Sequence, residues 1–180
     1  MTTVRIAKHT PRRGFEPNLL DYATTAAEFS WATARAELDG LPGGGLNIAH
    51  EAVDRHARSA RASAVALRCL GRASAGGAQR DVTYAELAAL SDRFANALKN
   101  LGVTKGDAVF ALMPRVPELF VAALGTWKSL AVFCPLFPAF GPEPIKTRMT
   151  LGKARVLVTT SALYARKVAP LRAEIGRAHV

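Results

Sequence analysis

Cysteine is scarce here: Cys69 and Cys134 are the two thiols in 180 residues, and each lies inside an apolar run. That excludes a disulfide framework and a cysteine-rich metal centre, and it suits buried thiols in a reducing compartment, so the expected location is cytoplasmic. No apolar run approaches the roughly 20 residues of a membrane span. The basic opening "MTTVRIAKHTPRR" is not followed by an apolar core of the kind a secretory signal carries, and it reads as a frayed terminus. No membrane partner is expected. Acidic residues are also few, 14 against 24 Lys and Arg, for a formal charge of +10. Such an excess suits anionic partners, but the positive residues are dispersed through helical stretches and are not interleaved with aromatics. A solvated basic surface accounts for them more simply than nucleic-acid binding does. With 49% hydrophobic and 21% charged residues the composition is that of a globular domain, which excludes disorder.

The usual catalytic constellations are missing as well. "LPGGGLN" has glycines but neither the lysine nor the hydroxyl of a phosphate-binding loop, and reads as a linker between helices. His50 and His56 have no acidic partners at ligand spacing and are read as exposed or partly packed. Ser91 falls inside a helical pattern, where a nucleophile has no oxyanion hole. Asp54 with Arg55, and Asp92 with Arg93, read as surface or inter-helix ion pairs. No catalytic residue and no metal ligand set is expected within the chain.

What is present is an alternation of helix and strand signals. "YATTAAEFSWATARAEL" (22–38) reads as one helix, ended by "DGLPGGGLN", and Asn47 as the N-cap of a second, "IAHEAVDRHARSA". "AVALRCL" is a short strand, "GRASAGGAQRD" a loop, and "VTY" a return to extended chain. The clearest signal is "TYAELAALSDRFANALKNLG", in which Thr83 and Glu86 form a capping box. Leu87, Leu90, Phe94, Leu98 and Leu101 repeat there at helical spacing, and Gly102 supplies the stop. "AVFALM", "AVFCPLF" and "ARVLVTT" are apolar strands of the kind a parallel sheet buries on both faces, separated by the helices "PELFVAALGTWKSL" and "GPEPIKTRMTLG". A last helix is expected over "ALYARKVAPLRAEI". The fold class is therefore α/β, with βαβ units around a mostly parallel sheet. In such sheets ligands sit at strand-to-helix loops, which singles out "PLFPAFGPEPIKTRM", residues 135–149.

From Phe29 onward the chain resembles the N-terminal part of the acetyl-coenzyme A synthetases, within the adenylate-forming acyl-CoA synthetase superfamily. "LNIAHEAVDRHA" is similar to the leader motif of that family. "TYAELAALSDRFANALKNLGVTKGDAVFALMPRVPELFVAALG" is similar to its first large βαβ block. "CPLFPAFGPEPIKTRM" followed by "ARVLVTT" resembles the block that comes next in acetate- and short-chain-specific members. The resemblance implies the incomplete first part of a large N-terminal α/β domain preceded by a helical leader. It also implies an AMP-forming ligase that joins acetate or a short-chain carboxylate to coenzyme A, with ATP and Mg²⁺ as cofactors of the parent enzyme. The phosphate loop and catalytic lysine of the family have no counterpart here, so the chain alone is expected to be inactive. Phe137 and Ala139 match the loop that lies beside coenzyme A in relatives, and Arg166 or Lys167 matches basic residues that serve nucleotide phosphates. Two departures stand out: Leu130, where a small residue is usual at a tight turn, and Pro138, which removes an amide from the loop.

The implied organisation is a flexible basic N-terminus (1–20), a helical leader (21–60), a partial AMP-binding-enzyme domain (61–175) and a non-native tail (176–180). The tail is expected because "IGRAHV" is what one frame of a common sequencing adapter, ATCGGAAGAGCACACGTCTGA, encodes before a stop, which would place the native end near Glu174 or Ile175. Two other readings remain beside the ligase: a stand-alone module that binds coenzyme A or a nucleotide without turnover, and a basic nucleic-acid-binding protein.

Overall fold

The computed structural model describes residues 19–71, 77 and 79–160. They divide into two units, the first ending at Leu38 and the second beginning at Asp39. The expected last helix, Arg166, Lys167 and the expected tail lie outside the described residues.

The first unit holds two short helices, α1 (Tyr22–Glu28) and α2 (Trp31–Ala36), where the sequence pattern predicts one. The break has a local cause. Ser30 leaves the helix with extended dihedrals and caps the second helix, its Oγ accepting the Thr33 N–H at 3.0 Å. Asp21 caps the first in the same manner. Phe29 and Trp31 flank the break and pack edge to face, 5.2 Å between centroids.

In the second unit Asn47 caps the expected leader helix, its Oδ1 accepting from Ala49 N at 2.9 Å and His50 N at 3.3 Å. The helix then widens into a π-helical turn (His50–Asp54) before a short α3 (Arg55–Ala57). A hairpin follows. Strands β1 (Val65–Leu70) and β2 (Gln79–Thr83) pair antiparallel as a separate two-stranded sheet, so residues 79–81 belong to a strand although the sequence reads as loop. The cross-strand Arg68–Asp81 pair, bidentate at 2.9 and 2.8 Å, sets this register where small polar residues give little pattern.

Helix α4 (Tyr84–Asn100) carries the capping box as expected: Glu86 N donates to Thr83 Oγ1 at 3.2 Å and Thr83 N to Glu86 Oε2 at 2.8 Å. Leu87 and Leu98 are buried, but Leu101 is exposed, because the helix ends there and the chain turns away through Gly102 at φ 75°. The main sheet has three parallel strands in the order β4 (Val132–Pro135), β3 (Ala108–Leu112), β5 (Ala154–Thr159). Helix α5 (Pro117–Lys128) joins β3 to β4, and α6 (Pro142–Leu151) joins β4 to β5.

Central β3 is sealed on both faces, which explains its unbroken apolar sequence. Val109 packs with Leu98, Val103 and Ala131 on the α4 face. Phe110 and Leu112 pack with Leu136, Ile145 and Met149 on the α6 face. Burying side chains such as Ile145 or Val109 stabilises the fold by about 1.5–3 kcal/mol each. Neither cysteine is as buried as the apolar runs imply: both are half-buried and free. Cys134 packs against the Phe110–Ile145 cluster from edge strand β4, which has a neighbour on one side alone among the described strands.

Candidate functional site

Because the three strands are parallel, their carboxyl ends share one edge of the sheet, at Leu112, Pro135 and Thr159. The chain reaches β4 on one side of β3 and then crosses to β5 on the other, and such a reversal opens a ligand crevice at the carboxyl edge. Hydrogen bonds tie this edge together: Leu136 N donates to Ala111 O at 2.8 Å and Thr159 Oγ1 to Leu112 O at 3.0 Å.

The β4–α6 loop stands on this edge. Phe140 N donates to Phe137 O at 3.0 Å and closes a four-residue turn with Pro138 in its second position, where proline's fixed φ is an advantage and its missing amide is not needed. The Phe137 and Phe140 rings meet edge to face at 5.6 Å, and the Arg148 guanidinium lies 4.2 Å over the Phe140 ring. Arg148 Nη1 also donates to Pro144 O at 3.0 Å, one turn back along α6. The loop thus presents Phe137, 64% exposed, against the Phe140 ring that carries the cation, and Ala139 is exposed as well. The start of α6 is a poor anion cradle. Pro142 and Pro144 remove two of its first amides, and Glu143 adds a negative charge. The cation fixed at this loop is Arg148, which sequence reasoning missed because its partner Phe140 is eight residues away, across a turn.

The other candidates fall elsewhere. Ser91 is buried and donates to Leu87 O at 2.8 Å and Ala88 O at 3.0 Å within α4, a structural hydroxyl. His50 is not exposed: it is 9% accessible, with Nε2 2.8 Å from Asp39 Oδ2. The His56 ring lies tilted against Tyr84, 5.1 Å between centroids. Of the surface or inter-helix ion pairs expected at Asp54–Arg55 and Asp92–Arg93, the inter-helix reading holds for both acids, with Lys128 as the cation, since adjacent helical residues point apart. Both acids converge on Lys128, at 2.7 Å for Asp54 and 2.6 Å for Asp92, while Arg55 reaches Glu51 at 3.0 Å. Burial acts against the charged form of Glu51, but donation from the Gly40 and Asp39 amides and the charges of Arg55 and His50 outweigh it and hold the carboxyl below its usual range. Among the described residues no group of three His, Cys, Asp or Glu is placed to hold a metal, and no helix is long and apolar enough to cross a membrane.

Residues 53–179 match the family model described as AMP-binding enzyme. The chain belongs to the AMP-binding enzyme family. Its β4–β3–β5 sheet with flanking helices is part of that family's α/β domain. The crystal structure of an acyl-CoA synthetase from Brucella canis superposes with a TM-score of 0.73 and 32% identity, covering 88% of this chain and 27% of that one. In sequence the chain is 41% identical over 152 residues to the acetyl-coenzyme A synthetase of Bacillus subtilis, covering 83% of this chain and 26% of that protein. It is 38% identical over 137 residues to that of Methanothrix thermoacetophila, covering 76% and 20%. The chain thus spans 20% to 26% of the length of these curated relatives.

Proposed function

We propose that this AMP-binding-family chain is part of a ligase that activates acetate or another short-chain carboxylate and passes it to coenzyme A. In the first step the carboxylate oxygen attacks the α-phosphorus of ATP, forming acyl-adenylate and releasing pyrophosphate. In the second the thiol of coenzyme A attacks the acyl carbon, releasing AMP and a proton. The observation that carries this reading is the 41% identity to an acetyl-coenzyme A synthetase across 83% of the chain.

What the chain contributes is a binding edge. The exposed Phe137 ring and Ala139 offer apolar surface to the arm of coenzyme A, and Arg148 offers a cation to its phosphates. Arg166 and Lys167 are assigned to the same phosphate-facing role from sequence similarity. The described residues supply no carboxylate set for Mg²⁺ and no glycine-lysine loop for ATP, so no chemical step is assigned to them. The chain by itself is inactive in this reading, and its product side works within a longer polypeptide in the cytoplasm.

Source DNA read across the Val180 codon, followed by expression of the whole open frame, tests the proposal. The expected result is acetate-dependent formation of AMP and acetyl-CoA by the whole frame and none by the 180-residue chain. A genomic stop at that codon with saturable coenzyme A binding by the chain would replace the ligase with a stand-alone binding module. Turnover by the 180-residue chain would overturn its assignment as inactive.

A further inference from the structure

Residues 39–57 are fastened to α4 and α5 by polar contacts beside an apolar cluster, all between residues distant in sequence. At one end Asn47 Nδ2 donates to the Trp127 carbonyl at 2.8 Å. At the other Asp54 Oδ1 lies 2.7 Å from Lys128 Nζ, whose remaining neighbours are Asp92 Oδ1 at 2.6 Å and Ala88 O at 3.3 Å. The ammonium thus donates to two acceptors on α4, while Asp54 Oδ1, buried and outside hydrogen-bonding geometry, is held by charge alone. The apolar part of the seat is Ala49 and Val53, both buried, which pack with Val82, Leu87 and Leu124 and with partly buried side chains that include Tyr84, Val121 and Trp127. Within the segment, Glu51 gathers the Asp39 and Gly40 amides at 3.1 and 2.7 Å, and His50 pairs with Asp39, so its two ends are cross-braced. Most of this segment precedes residue 53, where the family match begins.

Lys128 is 11% exposed and Asp54 17%, so that pair is shielded from solvent, whereas Asp92 is 62% exposed. Removing the cation would leave two carboxylates that both touched one nitrogen, now facing each other across the helix boundary. Removing all three charges would leave only a small polar gap. The two changes delete the same ion pairs, yet the first leaves two negative charges and the second none, which separates a charge clasp from mere packing.

We infer that Lys128 is a latch: its ammonium holds residues 39–57 on the α4–α5 pair as a unit that opens separately from the parallel sheet. This holds whatever the ligand of the carboxyl-edge loop.

Native-state hydrogen exchange on the full 180-residue chain tests it. In Lys128→Met, amides of residues 48–57 exchange about tenfold faster or more, while buried amides of α4 and β3 stay within about twofold of wild type. Lys128→Met combined with Asp54→Asn and Asp92→Asn recovers most of that protection. If Lys128→Met does not fold, Asp54→Asn alone shows a smaller acceleration confined to the same amides. Equal acceleration in the segment and the helices, no acceleration in the segment, or no recovery in the triple variant would each overturn the latch.

Discussion

Gly125 of α5 and Phe94 of α4 are in such close contact that a Cβ on Gly125 would stand 2.8 Å from Phe94 Cδ1 and 2.8 Å from the Ser91 carbonyl oxygen. The glycine has no unusual dihedral and sits mid-helix, where it costs about 1 kcal/mol relative to alanine. It is there for the approach of the two helices. Gly125→Ala should destabilise despite its better helix propensity, by about 1–3 kcal/mol, because one obstructing atom belongs to the backbone and cannot swing aside. Urea denaturation of the two proteins measures the difference, and an unchanged midpoint would show that the helices part without cost.

Leu130 has φ 56° and is half exposed at the turn into β4. Left-handed geometry costs a side-chain-bearing residue about 1–2 kcal/mol, of which the extra chain entropy of glycine takes back about 0.5–1. Leu130→Gly should therefore stabilise by up to about 1 kcal/mol, read as a rise in Tm. A fall would mean that the leucine side chain contributes packing that outweighs the strain.

Glu86 is held below its ordinary carboxyl range by the Thr83 amide and then by the Thr83 hydroxyl, both hydrogen-bonded to it across the helix cap. A depressed folded value means that the unfolded chain takes up the proton first. Its contribution is complete above the ordinary value, about pH 4.3, and is lost as the pH falls through the lower folded value. Asp107, held down by the Thr104 amide and hydroxyl, acts in the same direction. Stability measured from pH 6 to pH 3 should fall toward acid, and more shallowly in Glu86→Gln; identical slopes would dismiss the cap as the source.

Burial pushes the Cys134 thiol up, so little thiolate exists near neutrality. In a Cys69→Ser background, Cys134 should react with a disulfide reagent at pH 8 more slowly than a free small thiol does. A rate equal to that of the free thiol would place the sulfur in a more open setting.

Much of the fold was legible because its signals are local. The Thr83–Glu86 box, the leucine spacing of α4 and the uninterrupted strand sequences each report a structure made by neighbours a few residues apart. Position of the candidate loop followed from strand-to-helix order, and Phe137 and Ala139 stand exposed on that loop. The roles of single residues were less legible. Arg148 over Phe140, Lys128 between two aspartates and Asp39 on His50 are pairings across turns and between elements, which no periodicity encodes.

By itself, then, the sequence determined the class of structure: alternating helices and buried strands, the capped start of α4, and a similarity whose motifs run in family order. Those properties depend on dihedral preference and on apolar spacing, both written into short stretches of chain. Tertiary structure decided which polar groups meet. It split the first helix at Ser30, placed β1 and β2 in a sheet of their own, and drew Asp54 and Asp92 onto one lysine rather than their adjacent arginines. Such choices are settled by distances of a few ångströms between elements far apart in the chain, and these exist only once the helices have packed.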